Sequence, residues 1–310
     1  MRAEEIVFGP VKSRRLGLSL GVDPLLPKTC SYDCLYCEIG PTRFHTIKRG
    51  LYRATEEIRE ALAMCLKDPE LHFEVLTFAG SGEPTLHAEL GELLRFAKTL
   101  TDRPICVLTN SSLLWQKEVR EDLLAADLVL PSLDAVSEDV FKRLNRPVPE
   151  LSAAKVIEGL KCFCEEFPGE IWLEIMLVSG INDTDEELKA LARVSQELSP
   201  NKIQLNTVDR PPAYPLAKPI PLSRLQEIAK LFGKKAEIIT REALCARGGS
   251  RKPTESEILA LLARRPSPSA EIAEALSADY KATLLLLEEL VKKGKLKTKR
   301  HENRLFYYVS

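Results

Sequence analysis

Residues 74–100 read EVLTFAGSGEPTLHAELGELLRFAKTL, and this stretch predicts the fold of the chain. Its first five residues, Glu74–Phe78, are mostly apolar or β-branched and predict a buried strand. A turn with two glycines follows, and apolar residues then recur at helical spacing through Leu86–Leu100. A strand, a glycine-containing turn and a helix together make one βα unit.

The same alternation recurs along most of the chain. Strands are predicted at Leu18–Val22, Glu74–Phe78, Ile105–Leu108, Leu128–Leu133, Ile171–Val178, Ile203–Val208 and, as a last short one, Ala236–Thr240. Helices are predicted at Thr55–Lys67, Leu86–Leu100, Trp115–Ala126, Ser152–Glu166, Thr184–Leu198 and Leu222–Phe232. Such βα units in series imply an α/β fold with parallel strands and right-handed crossovers. Periodicity alone allows an open doubly wound sheet or a complete or partial barrel, and both carry functional groups after the strands' carboxyl ends.

Several of these helices have recognisable starts. Thr55 is predicted to cap the first helix. Thr184 and Glu187 have the spacing of a capping box, and so do Thr254 and Glu257. In a capping box, the two side chains each accept a hydrogen bond from the other residue's backbone N–H, so both predictions specify particular contacts.

The pattern changes after Arg251. Three helices are predicted, and the alternating sequence KLKTKRHENRLFYYV then predicts a hairpin turning at His301–Asn303. This layout is typical of a small winged helix-turn-helix domain, so we divide the chain into domains 1–250 and 251–310. The second domain holds 12 Lys and Arg against 8 Asp and Glu, whereas the rest of the chain has an acidic excess. The predicted helices are Thr254–Arg264, Ser269–Leu276 and Tyr280–Lys293.

The composition is that of an ordinary globular protein. Of the 310 residues, 45% are hydrophobic and 29% are charged, and the formal net charge is −1. No run of apolar residues approaches the length of a membrane span, and the first ten residues do not resemble an export signal. We therefore expect a cytoplasmic protein with no membrane association, where clustered cysteines are more often metal ligands or catalytic groups than disulfides.

Residues 28–37, KTCSYDCLYC, place Cys30, Cys34 and Cys37 in a C-x3-C-x2-C arrangement. A disulfide would use two of them and leave the third free. A structural zinc site needs a fourth ligand, and the histidines that could supply it are remote in the sequence. Closely spaced thiolates on one loop suit an iron–sulfur cluster, and three of them on a [4Fe–4S] cluster leave one iron without a protein ligand.

This loop, with Tyr36 directly before the last cysteine, resembles the signature of the radical S-adenosylmethionine (SAM) superfamily. The loop follows the first predicted strand, as it does in that family. Ala79–Thr85 resembles the family's glycine-rich motif, with Ser81 between the two glycines. The resemblance covers about residues 5 to 245 and implies a partial (β/α)6 TIM-like barrel.

The resemblance also implies cofactors and a chemistry. The three cysteines would be the catalytic metal ligands of a [4Fe–4S] cluster, and the open iron would bind SAM. Reductive cleavage of SAM would yield methionine and a 5′-deoxyadenosyl radical, with the electron coming from an external donor such as flavodoxin or ferredoxin. The positions that correspond to cofactor-binding residues of the family are Tyr36, Gly80, Gly82, Glu83, Asn110, Ser132 and Asp134.

Three further stretches resemble a subgroup of iron–sulfur oxidoreductases related to wyosine-type tRNA-modifying enzymes. They are FGPVKSRRLGLSLGVDP at 8–24, GSGEPTLH at 80–87 and IQLNTVDRPPA at 203–213. Wyosine synthases hold a second cluster on cysteines upstream of the motif, but this chain has no cysteine before Cys30. The resemblance therefore implies RNA, specifically tRNA, as substrate without identifying the wyosine reaction itself.

The basic segment 292–304 offers a surface for an RNA partner. The helix at Ala282–Leu290 is too apolar and acidic to read DNA bases. Two alternatives stay open: a radical SAM enzyme acting on a protein, peptide or small molecule with the C-terminal domain as a docking module, and a non-enzymatic iron–sulfur DNA-binding regulator. Arginines that could contact an anionic substrate are Arg14, Arg15, Arg43 and Arg210.

Five cysteines remain outside the motif. Cys162 and Cys164 lie on a predicted helix, where residues two apart point in nearly opposite directions. Cys65 and Cys106 lie in predicted elements and are interpreted as core residues. The role of Cys245 stays open. No spacing among them predicts a second cluster.

Overall fold

The computed structural model describes residues 6–239, 251–302 and 304–309. Its strands are β1 (Val7–Ser13), β2 (Gly17–Val22), β3 (Thr29–Cys30), β4 (Phe44–His45), β5 (Val75–Phe78), β6 (Ile105–Thr109), β7 (Leu128–Pro131), β8 (Glu170–Leu177), β9 (Lys202–Thr207), β10 (Ala236–Ile238), β11 (Leu296–His301) and β12 (Arg304–Val309). Its helices are α1 (Thr55–Cys65), α2 (Leu90–Leu100), α3 (Lys117–Leu123), α4 (Glu138–Leu144), α5 (Ala153–Glu166), α6 (Asp185–Leu198), α7 (Leu222–Phe232), α8 (Glu255–Leu262), α9 (Ser269–Ala275) and α10 (Tyr280–Lys292).

The central sheet has eight strands in the order β1-β2-β5-β6-β7-β8-β9-β10. All neighbours from β2 to β10 are parallel, and β1 is antiparallel to β2. The order never reverses, so this is not a doubly wound sheet, in which strands are added on both sides of a switch point. Within the described residues, β1 and β10 form the two edges and do not pair. The predicted α/β fold with a partial barrel is thus confirmed.

Strand β1 was not predicted from the sequence. It contains Gly9 and Pro10, which normally argue against a strand, and its pairing with β2 shifts register between Phe8 and Val11. Proline is tolerated there because β1 is an edge strand, where a missing N–H does not break a hydrogen-bond ladder.

The six predicted helices of the core all occur, with ends that differ by a few residues. The sequence missed α4, and a short 3-10 turn at Pro84–Leu86 precedes α2 where a continuous helix was predicted. The N-cap of α1 is Ala54, whereas the Thr55 hydroxyl donates to Glu89, so the predicted Thr55 cap is wrong. In the part of the chain that the structure describes, no helix is long and apolar enough to cross a membrane.

Of the two predicted capping boxes, one is complete in the structure and the other is half formed. The hydroxyl of Thr254 accepts from the Glu257 N–H and the Glu257 carboxylate accepts from the Thr254 N–H, so this box is confirmed. Thr184 also caps its helix, but the Glu187 carboxylate accepts from the backbone of Val136 and Ser137 instead. That box is therefore half formed, because a more distant loop competes for the carboxylate.

Apolar side chains alternate between the two faces of the sheet. On the outer face, residues such as Leu76 and Phe78 pack under the helices in the main core, and each contributes about 1.5–3 kcal/mol by burial. On the other face, Val75, Cys106 and Leu130 belong to a smaller cluster inside the partial barrel. Cys106 is fully buried in this cluster, as its predicted core role requires.

After Arg251, three helices and the β11–β12 hairpin enclose a core of their own around Ile258, Ile272 and Leu287. This order of elements is the predicted one, and the assignment as a winged helix-turn-helix stays a prediction. We call residues 251–309 the C-terminal module. Thr240, Cys245, Asn303 and the predicted domain boundary at 250 lie outside the described residues.

The C-terminal module contacts the core near both edges of the sheet. Lys12 of β1 pairs with Glu274 at 3.1 Å, and Arg304 pairs with Asp209, in the loop after β9, at 2.7 Å. The module therefore bridges the two sides of the open sheet.

Candidate active site

The cysteine loop follows β2 at the carboxyl end of the sheet and is held by the turn after β5. The Lys28 N–H donates to the Ser81 carbonyl at 2.8 Å, and the Glu83 N–H donates to the Thr29 carbonyl at 3.1 Å. Cys30 lies in β3, which pairs with β4 in a parallel two-stranded ribbon. Cys34 and Cys37 follow in the same loop, and all three thiols are free and partly buried.

The two glycines of the turn allow this close packing. A Cβ on Gly82 would lie 2.0 Å from the Thr29 carbonyl oxygen, and one on Gly80 would lie 2.2 Å from the Asp23 carboxylate. Ser81, between them, donates from its hydroxyl to Asp23 at 2.7 Å. Gly82 is thus required for contact with the cysteine loop and Gly80 for contact with Asp23, and their predicted contact with SAM stays a prediction.

Two asparagine amides point at the cysteine sulfurs. Asn110, after β6, donates from Nδ2 towards the Cys30 sulfur at 3.5 Å, and Asn145, after α4, does the same towards the Cys34 sulfur at 3.7 Å. Burial raises the pKa of the Cys30 thiol to about 12 and raises the pKa of Cys34 as well. These thiols are therefore protonated in the metal-free protein, and metal binding has to supply the compensating charge.

The donor set, three free thiols on one loop, suits an iron–sulfur cluster. Among residues 6–239, 251–302 and 304–309, no three His, Cys, Asp or Glu side chains are arranged to hold one ion. Because each thiolate of a [4Fe–4S] cluster binds a different iron, the three sulfurs need not converge on one point. Two buried polar atoms have no hydrogen-bond partner here, Tyr32 Oη within this loop and Asn145 Oδ1 beside Cys34, and both are available to contact a ligand.

Glu83 ties the turn after β5 to the end of β6. Its carboxylate accepts from the Thr85 N–H at 3.2 Å, the Thr109 hydroxyl at 2.6 Å and the Asn110 N–H at 2.6 Å. The side chain is 2% exposed, and burial raises the pKa of its carboxyl. Glu83 thus fixes Asn110 beside Cys30, and its predicted bond to the amino group of SAM stays a prediction.

Asp134 follows the end of β7 and, like Glu83, accepts several hydrogen bonds from neighbouring segments. The Tyr36 hydroxyl donates to it, as do the Asn145 amide at 2.7 Å and the Met176 N–H at 2.9 Å. Ser132 lies nearby, and its carbonyl accepts from the Ser111 hydroxyl. A narrow cavity is lined by residues that include Tyr32, Asn110, Ser132, Asp134 and Asn145. The structure thus brings together four of the predicted cofactor residues, Tyr36, Asn110, Ser132 and Asp134.

The buried Asp134 predicts a measurable pH dependence. Burial raises its pKa from 3.8 to about 6, so the folded protein holds this proton more tightly than the unfolded chain. Stability from this group is therefore present below pH 4 and lost as the pH rises to about 6, by up to about 3 kcal/mol. We expect Asp134→Asn to remove this slope from urea unfolding of the apoprotein.

The comparison of the wild type with Asp134→Asn isolates the contribution of this one carboxyl, because the other carboxyls titrate equally in both proteins. The free energy of unfolding of the wild type relative to Asp134→Asn should fall between pH 4 and pH 7. A constant difference across that range would contradict the assignment.

Three of the four predicted substrate arginines, Arg14, Arg15 and Arg210, lie within electrostatic range of Glu38, directly after the cysteine motif. Arg15 pairs with Glu174 and Arg14 with Asp209, while Arg43 is exposed on the outer surface. Arg210 is 6% exposed, and its guanidinium contacts Glu38 at 2.9 Å, Glu271 at 2.7 Å and the Pro266 carbonyl at 2.7 Å. Because protein partners occupy Arg210 here, its contact with a substrate stays a prediction.

Sequence reasoning missed two groups at this site. Asn145 caps the unpredicted helix α4 and lies 111 positions from Cys34, and nothing in the local pattern indicates their contact. Asp23, 1% exposed, accepts from Ser81 and pairs with Arg264 of the C-terminal module at 2.7 Å. The position of Asp23 directly after a strand was a possible sequence signal for a site residue. No sequence pattern indicated its contacts with Ser81 and Arg264.

Comparison with known families decides the identity of this site. A family model described as the Radical SAM superfamily matches residues 26–192, over half of the 310-residue chain. This chain belongs to the radical SAM superfamily. It is accordingly a radical SAM enzyme that uses a [4Fe–4S] cluster and SAM, and such enzymes need an external electron donor. This family membership argues against the alternative of a non-enzymatic iron–sulfur DNA-binding regulator.

Relatives of the whole chain are also found. A protein named GTPase Obg from Brachyspira hyodysenteriae is 38% identical over 307 residues, which are 98% of this chain and 45% of that protein. A UPF0026 protein from Methanocaldococcus jannaschii is 34% identical over 97% of this chain and 95% of its own length. This chain thus spans less than half of the Brachyspira relative and nearly all of the archaeal one.

Solved structures agree on the fold. A radical SAM methyltransferase from Sphaerobacter thermophilus has a TM-score of 0.52 and 19% identity, covering 71% of this chain and 65% of the other. Streptococcus suis SuiB bound to SAM has a TM-score of 0.54 and 14% identity, covering 77% and 54%. At these identities the likeness concerns the fold alone.

Proposed function

We propose that this radical SAM enzyme modifies RNA, with tRNA as the substrate class, and that Cys30, Cys34 and Cys37 bind its cluster. The observation that supports the cluster assignment is the set of three free thiols on one loop, two of them facing asparagine amides. The observation that supports RNA is the exposed basic strand β11 of the C-terminal module.

When bound, the cluster and SAM supply a one-electron reduction that releases methionine and a hydrogen-abstracting radical. The residues of the chain position this chemistry. Asn110 and Asn145 donate N–H groups to sulfur, which stabilises negative charge on the ligands. Glu83 holds Asn110, and Asp134 holds Asn145 and the Tyr36 hydroxyl. Substitution of Glu83 is expected to displace Asn110, and substitution of Asp134 is expected to displace Asn145 and Tyr36.

The C-terminal module is positioned for a large partner. Lys297, Lys299 and Arg300 lie on β11 with exposed side chains, and β11 pairs along its whole length with β12. The contacts of Arg264 and Arg304 with the core fix the module relative to the cysteine loop. A basic strand held in a fixed position can bind phosphates while another part of an RNA reaches the active site. We therefore propose that domain 251–310 is an RNA-binding domain.

Binding of tRNA should depend on this strand. We expect the double variant Lys297→Glu with Lys299→Glu to weaken tRNA binding by at least about tenfold and to lower the salt slope by about 2, because two phosphate contacts are lost. The measurement is a filter-binding titration of total tRNA at several salt concentrations. Lys117→Glu with Lys142→Glu, two exposed lysines on core helices, is the matched control. Equal effects of both variants would contradict a specific role for β11.

The function itself is tested by comparing modified nucleosides. Total tRNA from cells with and without this gene is digested and analysed by mass spectrometry. We expect one nucleoside to change, and its return on expression of the wild-type chain but not of a Cys34→Ala variant. An unchanged nucleoside profile would contradict the tRNA proposal and favour a protein, peptide or small-molecule substrate.

A further inference from the structure

The segment 41–51, which we call the outer loop, follows the cysteine loop and carries large apolar side chains on the protein surface. Phe44 is 55% exposed and Leu51 is 57% exposed. Side chains of this size are usually buried, and aromatic residues on an exposed surface are typical of the centres of protein interfaces. The outer loop is therefore a candidate docking surface.

The charged residues in this stretch of sequence are all basic. No Asp or Glu occurs between residues 39 and 55, whereas that stretch contains four arginines and lysines. Arg49 pairs with Asp122 and Arg53 donates to the Leu25 carbonyl. Arg43 and Lys48 are exposed, and neither has an ion-pair partner within the described residues. The outer loop thus presents exposed apolar side chains together with two exposed cations, Arg43 and Lys48, and this combination is complementary to an acidic protein.

The outer loop also lies beside the first cysteine. Phe44 is opposite Thr29 and His45 is opposite Cys30 in the parallel β3–β4 pair. The Thr46 N–H donates to the Cys30 carbonyl at 3.0 Å. The backbone of β4, which carries Phe44, is therefore one strand spacing, about 4.8 Å, from the backbone that carries Cys30.

We propose that the outer loop is the docking surface for the electron donor, and that this donor is an acidic one-electron redox protein. The inference rests on the proposed function, since it needs a cluster on Cys30, Cys34 and Cys37. In the transfer, the donor loses one electron and the cluster passes from its 2+ to its 1+ state, and no bond forms or breaks. Transient redox complexes are small, so one loop with an aromatic centre and two cations is a sufficient interface.

The test is the rate of cluster reduction in the reconstituted holoenzyme. Reduced flavodoxin is mixed anaerobically with the protein, and reduction is followed by loss of cluster absorbance and by electron paramagnetic resonance. We expect Phe44→Ala and Lys48→Glu each to slow reduction by about tenfold at low salt. The effect of Lys48→Glu should shrink as salt is added, because screening weakens the attraction.

Two matched variants and a small reductant serve as controls. Leu285→Ala removes a side chain that is 60% exposed on the C-terminal module, and Lys281→Glu reverses an exposed charge there. Neither should change the rate with flavodoxin. Dithionite, which needs no docking surface, should reduce all variants at the wild-type rate.

Wild-type rates with flavodoxin in both outer-loop variants would overturn the docking proposal alone. Failure of flavodoxin to reduce the wild type while dithionite succeeds would also overturn it. Absence of a reducible cluster even with dithionite would instead overturn the cluster assignment on which it rests.

Discussion

Replacing Cys34 with alanine is expected to abolish cluster assembly and SAM cleavage. Cys34 lies in the middle of the cysteine loop, and its sulfur faces the Asn145 amide. Loss of a hydrogen-bonding partner around a metal site commonly costs 10–100-fold in affinity or activity, and loss of the ligand itself removes a metal–sulfur bond as well. We therefore expect a loss of more than about 100-fold in 5′-deoxyadenosine release. Iron content after anaerobic reconstitution should fall in parallel.

The matched control is Cys162→Ala. Cys162 is also a free, partly buried cysteine, but it lies on α5. Iron content and SAM cleavage should stay at the wild-type level in this variant. Equal losses in both variants, or normal cleavage by Cys34→Ala, would contradict the assignment of the cluster to the 28–37 loop.

Replacing Arg210 with alanine is expected to destabilise the contact between the core and the C-terminal module. The Arg210 side chain is 5% exposed, and it bridges Glu38, directly after the last cysteine of the motif, and Glu271 of α9. Removal of one member of a buried ion pair typically costs 3–5 kcal/mol, and the low end applies here because the Glu38 side chain is 39% exposed. We expect a loss of about 3 kcal/mol in the free energy of unfolding of the apoprotein in urea.

Limited proteolysis gives a second measurement, because a module that has lost its anchor should be cleaved from the core more rapidly. Arg210→Lys should recover part of the stability, since it keeps the charge but not the geometry of a guanidinium. Arg224→Ala, which breaks exposed pairs with Asp185 and Glu227, is the control and should have a much smaller effect. Similar losses in the free energy of unfolding for Arg210→Ala and Arg224→Ala would contradict a role of Arg210 in anchoring the C-terminal module to the core.

Much of the fold was predictable because it depends on local patterns. Apolar periodicity located every parallel strand of the sheet and all but one of the core helices within a few residues. The exceptions have physical reasons. β1 contains glycine and proline that only an edge strand tolerates, and α4 spans only seven residues, too few for a clear helical period.

Less of the site was predictable, because its polar contacts join distant parts of the chain. The contact of Glu83 with SAM stays a prediction, whereas its hydrogen bonds from Thr85, Thr109 and Asn110 had no signal in the sequence. The contact of Arg210 with a substrate stays a prediction, whereas its burial between Glu38 and Glu271 of α9 had no signal in the sequence. A side chain's residue type indicates which partners it can bind, and the tertiary structure decides which of them is within reach.

The sequence by itself determined the alternating α/β pattern, the helices and hairpin after Arg251, and the three-thiol loop with one ligand missing. Each of these depends on residues within a few positions of one another. Only the tertiary structure decided that Asn110 and Asn145 face the sulfurs of Cys30 and Cys34. It also decided that the C-terminal module is anchored beside that loop. These contacts arise where parallel strands end at one edge of the sheet, and spacing along the chain does not encode which strand ends meet.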